Sequence, residues 1–215
     1  MHTRRHDCAD PAARATGLAE AVSAVRRGEL VVLPTDTVYG LGADAFDPKA
    51  VAGLLAAKGR GRHKPSPVLV DSPDALRDLV GDLSGEARAL VDAFWPGGLT
   101  LVLRHRPSLG WDLGETGGTV AVRMPDHPLA LELLAVTGPL AVSSANLTDR
   151  PSPQDCDAAL GMLGDSVAVY LDGGRTPGGV SSSIVDLSGP EPVLVREGVL
   201  SAARLREVVP ALRTP

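Results

Sequence analysis

Val120-Ala121-Val122-Arg123, then His127 to Val136, then Leu140-Ala141-Val142-Ser143 stand in direct succession. The first and third are short apolar runs of strand length. The middle segment places Leu129, Leu133 and Leu134 on one side of a helix. Strand, helix, strand in so few residues is the signature of an α/β domain. The same alternation extends outward. Upstream, Thr16 to Arg27 reads as a helix stopped by Gly28, and Leu30 to Leu33 as a buried strand ending at Pro34. Asp47-Pro48 is an N-cap with proline at the first helical position, and that helix runs to about Lys58. Val68 to Val70 is a strand, Ser72-Pro73 opens a helix, Ser84 caps the next, and Leu99 to Leu103 is a strand. Downstream, a helix over Asp155 to Leu163 precedes strands at Val167 to Leu171, Ser183 to Leu187 and Val193 to Arg196. A helix over Ser201 to Val209 closes the chain.

Two joints exclude a purely parallel sheet. Ser188-Gly189-Pro190-Glu191-Pro192 is a hairpin turn, and no helical pattern separates Leu99–Leu103 from Val120–Arg123. The expectation is one domain over residues 1–215, a twisted mixed parallel and antiparallel sheet with flanking helices.

Composition narrows the function. The 215 residues carry 21 Lys and Arg against 26 Asp and Glu, a net charge of −5, which argues against a nucleic-acid coat protein. Hydrophobic residues make up 44% and aromatics only 3%, so the core is aliphatic and stacking platforms are scarce. No apolar run suits a membrane span, and Met1 to Asp10 is too charged for a signal peptide. Cys8 and Cys156 form no CxxC and read as free thiols of a cytoplasmic protein. The histidines His2, His6, His105 and His127 lack metal-ligand spacing, and no nucleophile elbow is present.

Three loops could carry chemistry. Lys58-Gly59-Arg60-Gly61-Arg62-His63-Lys64 concentrates four formal positive charges in an acidic chain, between a helix and a strand. Such a loop suits an anion, or is merely a solvated basic turn. Pro34-Thr35-Asp36-Thr37-Val38-Tyr39-Gly40-Leu41-Gly42 follows a buried strand, where α/β proteins bind ligands, and matches neither GxGxxG nor a Walker loop. It could equally be a capped turn. Ser144-Ala145-Asn146 ends a strand, and extended geometry would turn Ser144 and Asn146 to one face. Thr119 and Arg123 share a face by the same spacing, Ser181-Ser182-Ser183 enters a strand and Arg196 ends one.

These segments occur in a characteristic order. The Pro34–Gly42 run is followed by Lys58-Gly59-Arg60 with Lys64-Pro65, then Trp95-Pro96-Gly97-Gly98-Leu99-Thr100 and Gly118 to Pro128. Ser144-Ala145-Asn146, Ser182-Ser183-Ile184-Val185-Asp186 and Arg196-Glu197-Gly198 complete it. Over roughly Gly17 to Gly198 the chain resembles the YrdC-like family in its short, single-domain form, whose members are L-threonylcarbamoyladenylate synthases, and the resemblance implies a core at about 17–198 with a cationic cleft. The resemblance implies a nucleotidyltransferase that makes threonylcarbamoyl-AMP and pyrophosphate from L-threonine, bicarbonate and ATP. A separate transferase complex then modifies tRNA with the threonylcarbamoyl group. It implies catalytic roles for Lys58 and Arg60. ATP contacts fall to Arg60, Lys64, Thr119, Ser144, Asn146, Ser152 and Arg196. Threonine contacts fall to Thr37, Arg123, the Val142 backbone and Ser182. Mg²⁺ would accompany ATP, and tRNA contact would be weak.

Four positions depart from the family pattern: Ser66-Pro67 after Lys64-Pro65, Leu69 where longer members carry a threonine-contacting histidine, Thr148-Asp149, and Ser182-Ser183. The competing readings are a paralogue that binds RNA or nucleotide without synthesis, and a carbamoyl-transfer domain of a larger enzyme. Intact Lys58, Arg60, Ser144 and Asn146 favour the synthase.

Overall fold

The computed structural model describes residues 3–177 and 179–214; His2 lies outside them. In chain order the elements are β1 (Arg4–Asp7), α1 (Pro11–Arg26), β2 (Val31–Leu33), β3 (Gly40–Asp44), α2 (Pro48–Lys58) and β4 (Val68–Leu69). A short 3₁₀ turn at Pro73–Ala75 leads into α3 (Leu76–Leu79), then α4 (Gly85–Phe94), β5 (Leu99–Arg104), β6 (Thr119–Arg123), α5 (Pro128–Thr137) and β7 (Leu140–Ser144). The rest is α6 (Cys156–Leu163), β8 (Val169–Asp172), β9 (Ser183–Asp186), β10 (Val193–Arg196) and α7 (Ala202–Arg206). The strands form one sheet in the order β1-β8-β2-β3-β7-β4-β6-β5-β9-β10. Pairings β1–β8, β2–β8, β4–β6 and β5–β9 are parallel and the others antiparallel, so the sheet is mixed as expected.

Local chemistry explains the starts and stops. Asp47 accepts from the N–H groups of Lys49 and Ala50 at the head of α2, and Gly59 ends that helix at φ 61°, a left-handed position that favours glycine. Ser84 accepts from Ala87 N–H to begin α4. The β9–β10 hairpin forms, with a register shift between Leu194 and Arg196.

Several boundaries differ from the sequence reading. The first helix begins at Pro11, not Thr16, because Asp10 caps it and accepts from Ala12 N–H. The segment Gly40–Gly42 is strand, not loop. It pairs with β2 and β7 on opposite sides, and the ladders hold it despite the low strand preference of glycine. Gly40 has a steric reason as well, since a Cβ there would stand 2.6 Å from a Val142 methyl. The charged β1 carries no apolar alternation and pairs along β8. The closing helix is shorter than 201–209, and the helix opened by Ser72-Pro73 begins as a 3₁₀ turn and continues as the short α3. The packed unit also exceeds 17–198, because Leu205, Val209 and Leu212 join the core.

Alternation across the strands sorts side chains to two faces. On one face Leu99, Leu101, Val120, Val122, Ala141 and Val185 pack with Leu76, Leu79, Leu90 and Val91 of α3 and α4. The same face near β2 and β3 packs Val32, Leu41 and Tyr170 against Leu54 and Leu55 of α2 and Ala159 and Leu163 of α6. On the other face α1 and α5 bury Val31, Leu33, Leu140 and Val169. That cover ends at Leu69 and Val142, which belong to this cluster and also to the wall of a cavity over β5, β6 and β9. The uncovered part of this face is therefore where a ligand can reach the sheet. Cys8 and Cys156 are free and buried, and burial pushes both thiols up, to about 11 and about 12. Among the described residues no helix is long and apolar enough to cross a membrane.

Candidate active site

The cavity has a volume of about 420 Å³. Its floor is the exposed sheet face, with Thr100 and Val102 of β5, Ala121 and Arg123 of β6, and Ile184 of β9. Thr35 and Thr37 enter from the turn after β2, and Ser181 and Ser182 from the segment before β9. Arg60 and Arg196 flank it, and among the described residues no carboxylate lines it. Three arginines from distant parts of the chain thus converge on one hollow.

Arg123 is the most constrained of them, with only 7% of its surface exposed. Its Nε donates to Gly97 O at 2.9 Å, Nη1 to Thr37 Oγ1 at 2.9 Å, and Nη2 to Asp36 Oδ1 at 2.5 Å. Guanidinium has five N–H groups. One on each terminal nitrogen remains without a protein acceptor among the described residues. Burial lowers the Arg123 pKa, while the adjacent Asp36 opposes that shift. Thr37 is fixed in turn by Thr35, whose Oγ1 lies 3.0 Å from Thr37 Oγ1, accepts from the Thr37 N–H and donates to Val38 O. The Thr35-Asp36-Thr37 turn therefore works as a mount for Arg123.

Arg60 and Arg196 are held by neutral groups. Arg60 donates to Lys64 O at 2.7 Å, Ser143 Oγ at 2.9 Å and Pro65 O at 3.2 Å. Arg196 donates twice to Ser182 O, at 3.0 and 2.8 Å, and to Ser182 Oγ at 3.2 Å. Thr100 Oγ1 lies 2.8 Å from Ser182 Oγ. Burial lowers both arginine pKa values, and Arg196 adds a second, repulsive cause at Arg60. Desolvated cations near one another favour a bound anion.

Of the residues singled out in the sequence, Thr37, Arg60, Arg123, Val142, Ser144, Ser182 and Arg196 line the cavity. Lys58, Lys64, Thr119, Asn146 and Ser152 do not. Lys64 is exposed and contributes its carbonyl to Arg60. Thr119 shares the β6 parity of Arg123 but sits at the far end, donating to Thr116 O. Asn146 does not share the face of Ser144, because the strand stops at Ser144; its Nδ2 donates to Leu147 O and Arg150 O. Ser152 lines a separate surface hollow with Arg150 and Arg175. Residues missed by the sequence reading include Asp36, Thr100 and Ser143, whose partners are about 80 to 90 positions away.

Lys58 is buried, and its ammonium donates to the carbonyls of Ser144 and Asn146. Its own carbonyl accepts from Thr148 N–H at 2.9 Å. Lys58 thereby fastens the turn after β7 to the end of α2. Burial, and then the nearby Arg60, push its pKa down to about 8. Between that value and the ordinary 10.5 the unfolded chain holds a proton that the folded chain has released. Folding stability attributable to this group therefore rises with pH across that window. The urea midpoint of the native chain should climb from pH 8 to 10 relative to Lys58→Met. Parallel pH curves for the two proteins would mean that Lys58 is solvated.

The layout defines an α/β protein with an arginine-lined cavity on an open sheet face. The family model described as telomere recombination, Sua5/YciO/YrdC, matches residues 23–198. The chain is 54% identical over 207 residues to a putative threonylcarbamoyl-AMP synthase of Mycobacterium tuberculosis, covering 96% of this chain and 95% of that one. It is 40% identical to the threonylcarbamoyl-AMP synthase of Bacillus subtilis over 89% of its length, and spans 56% of that protein. The structure of Sua5 from Pyrococcus abyssi complexed with L-threonine superposes with a TM-score of 0.88 at 37% identity, covering 92% of this chain and 58% of that one. The chain belongs to the Sua5/YciO/YrdC family.

Proposed function

We propose that the chain is a threonylcarbamoyl-AMP synthase. The observation that carries this reading is the convergence of Arg60, Arg123 and Arg196 with hydroxyls in one cavity that no carboxylate of the described residues lines. Such a site suits a reaction in which a triphosphate, a carbamate and an amino-acid carboxylate meet, where charge stabilisation dominates. The names of the relatives and the threonine held by the Pyrococcus protein support it.

In this reading the threonine carboxylate takes the two free N–H groups of Arg123, and its hydroxyl reaches Thr37 or Ser182. The amine combines with bicarbonate, losing water, to give a carbamate. A carbamate oxygen attacks the α-phosphorus of ATP, a P–O bond forms, and the bond to pyrophosphate breaks. Arg60, Arg196 and Ser144 hold the phosphates and stabilise the leaving group. Juxtaposition of the bound reactants supplies much of the rate, so no strong general base is required. Lys58 shapes the site from beneath by holding the Ser144 and Asn146 carbonyls. Lys64 would reach the nucleotide from the loop that Arg60 ties, while Ser152, Thr119 and Asn146 would act from outside the cavity, Asn146 through the turn it braces. Among the described residues no cluster of acids, histidines or cysteines offers a metal site, so Mg²⁺ would arrive on the phosphates and neutralise part of their charge. The product would pass to a tRNA-modifying transferase in the cytoplasm, with tRNA contact at most weak.

Pyrophosphate release tests the proposal. It should require ATP, bicarbonate and L-threonine together, and release that ignores threonine would overturn it.

A further inference from the structure

Asp36 stands behind the cavity wall and sets its electrostatics. Its carboxylate accepts from Arg123 Nη2 and, at 3.0 Å, from the Asp126 backbone N–H. The Arg123–Asp36 pair is the one ion pair made by a cavity arginine among the described residues. Arg60 and Arg196 meet only carbonyl and hydroxyl oxygens there. The cavity accordingly has two unlike ends. At one, the Arg60 and Arg196 guanidinium groups have no acid partner among the described residues, and Arg196 repels Arg60 and Arg123 alike. At the other, the arginine charge is already balanced while two of its N–H groups stay available. Bare cations in a poorly solvated hollow draw polyanions, and a balanced pair does not. A balanced pair still offers directional hydrogen bonds to a carboxylate, and its acid favours a nearby ammonium.

We propose that Asp36 is a specificity-determining residue: by balancing Arg123 it reserves that end for a zwitterionic amino acid and confines polyphosphate to Arg60 and Arg196. The proposal rests on the synthase reading and adds to it the means by which one arginine-lined hollow sorts two anionic reactants. Without that sorting a triphosphate could occupy all three guanidinium groups and exclude its co-substrate.

Asp36→Asn separates this role from bracing, because the amide oxygen still accepts from Arg123 and from Asp126 N–H while the charge is gone. Calorimetric titration of L-threonine, with and without saturating inorganic tripolyphosphate, reads the effect without turnover. In the native chain the threonine affinity should be the same in both conditions. In Asp36→Asn it should fall at least tenfold when tripolyphosphate is present. Equal affinities in the variant, or the same competition in native chain and variant, would overturn the proposal. A native chain that binds no threonine at all would instead overturn the synthase reading. If Asp36→Asn does not fold, the native chain still decides the matter. The phosphonate analogue of threonine, which carries a second negative charge, should bind at least tenfold more weakly than threonine, and equal or tighter binding would sink the idea.

Discussion

Arg60→Ala should weaken ATP binding by about 10- to 150-fold, the loss of a charged hydrogen bond worth about 1.5–3 kcal/mol. The effect sits at the upper end of what a single side chain contributes because Arg60 is desolvated, has no acid partner among the described residues and lies near Arg196. A bound phosphate would relieve that repulsion as well as accept hydrogen bonds. The same side chain also ties the carbonyls of Lys64 and Pro65, so alanine loosens the loop that follows. Arg60→Lys separates the two contributions, since it keeps the charge and loses the fork. Calorimetry with ATP checks the result. Unchanged affinity in Arg60→Ala would place the phosphates elsewhere.

Arg123→Lys should cut threonine affinity by about 30- to 150-fold, roughly 2–3 kcal/mol for the lost charged contacts, and leave ATP affinity within about threefold. Lysine can still pair with Asp36. It cannot simultaneously reach Gly97 O, Thr37 Oγ1 and a ligand carboxylate, because one ammonium replaces three nitrogens held in a plane. Truncating the pair instead, as in Arg123→Ala, would leave Asp36 uncompensated and cost the fold about 3–5 kcal/mol, confusing folding with binding. Separate titrations of threonine and ATP on Arg123→Lys check the expectation. Equal losses for both ligands would reject a role for Arg123 on the amino-acid side.

Much of this arrangement is written locally. The caps at Asp47 and Ser84 and the β9–β10 hairpin follow from side chains within a few positions. Strand β3 escaped because its support comes from two neighbouring ladders and its own residues are mostly small. Strand β1 escaped because an edge with charged residues shows no apolar alternation. The sequence reading ended the helix at about Lys58 and counted the same residue with the basic loop, and the helical spacing decides between the two. It stands four residues after Leu54 and three after Leu55, on the buried side of α2. That signal was available. Asp36 had none, because the arginine it balances is 87 positions away and only the folded sheet brings them together.

The cavity floor alternates with the core along every strand, so its chemistry depends on parity. Ala121 and Arg123 look into the hollow while Val120 and Val122 look into the apolar interior. Deleting a single residue upstream in β6 would turn the whole strand over, driving the guanidinium into a greasy layer and valines into the binding space. Insertions in the 106–117 connection leave that parity untouched. The floor can therefore change only by substitution, one letter at a time.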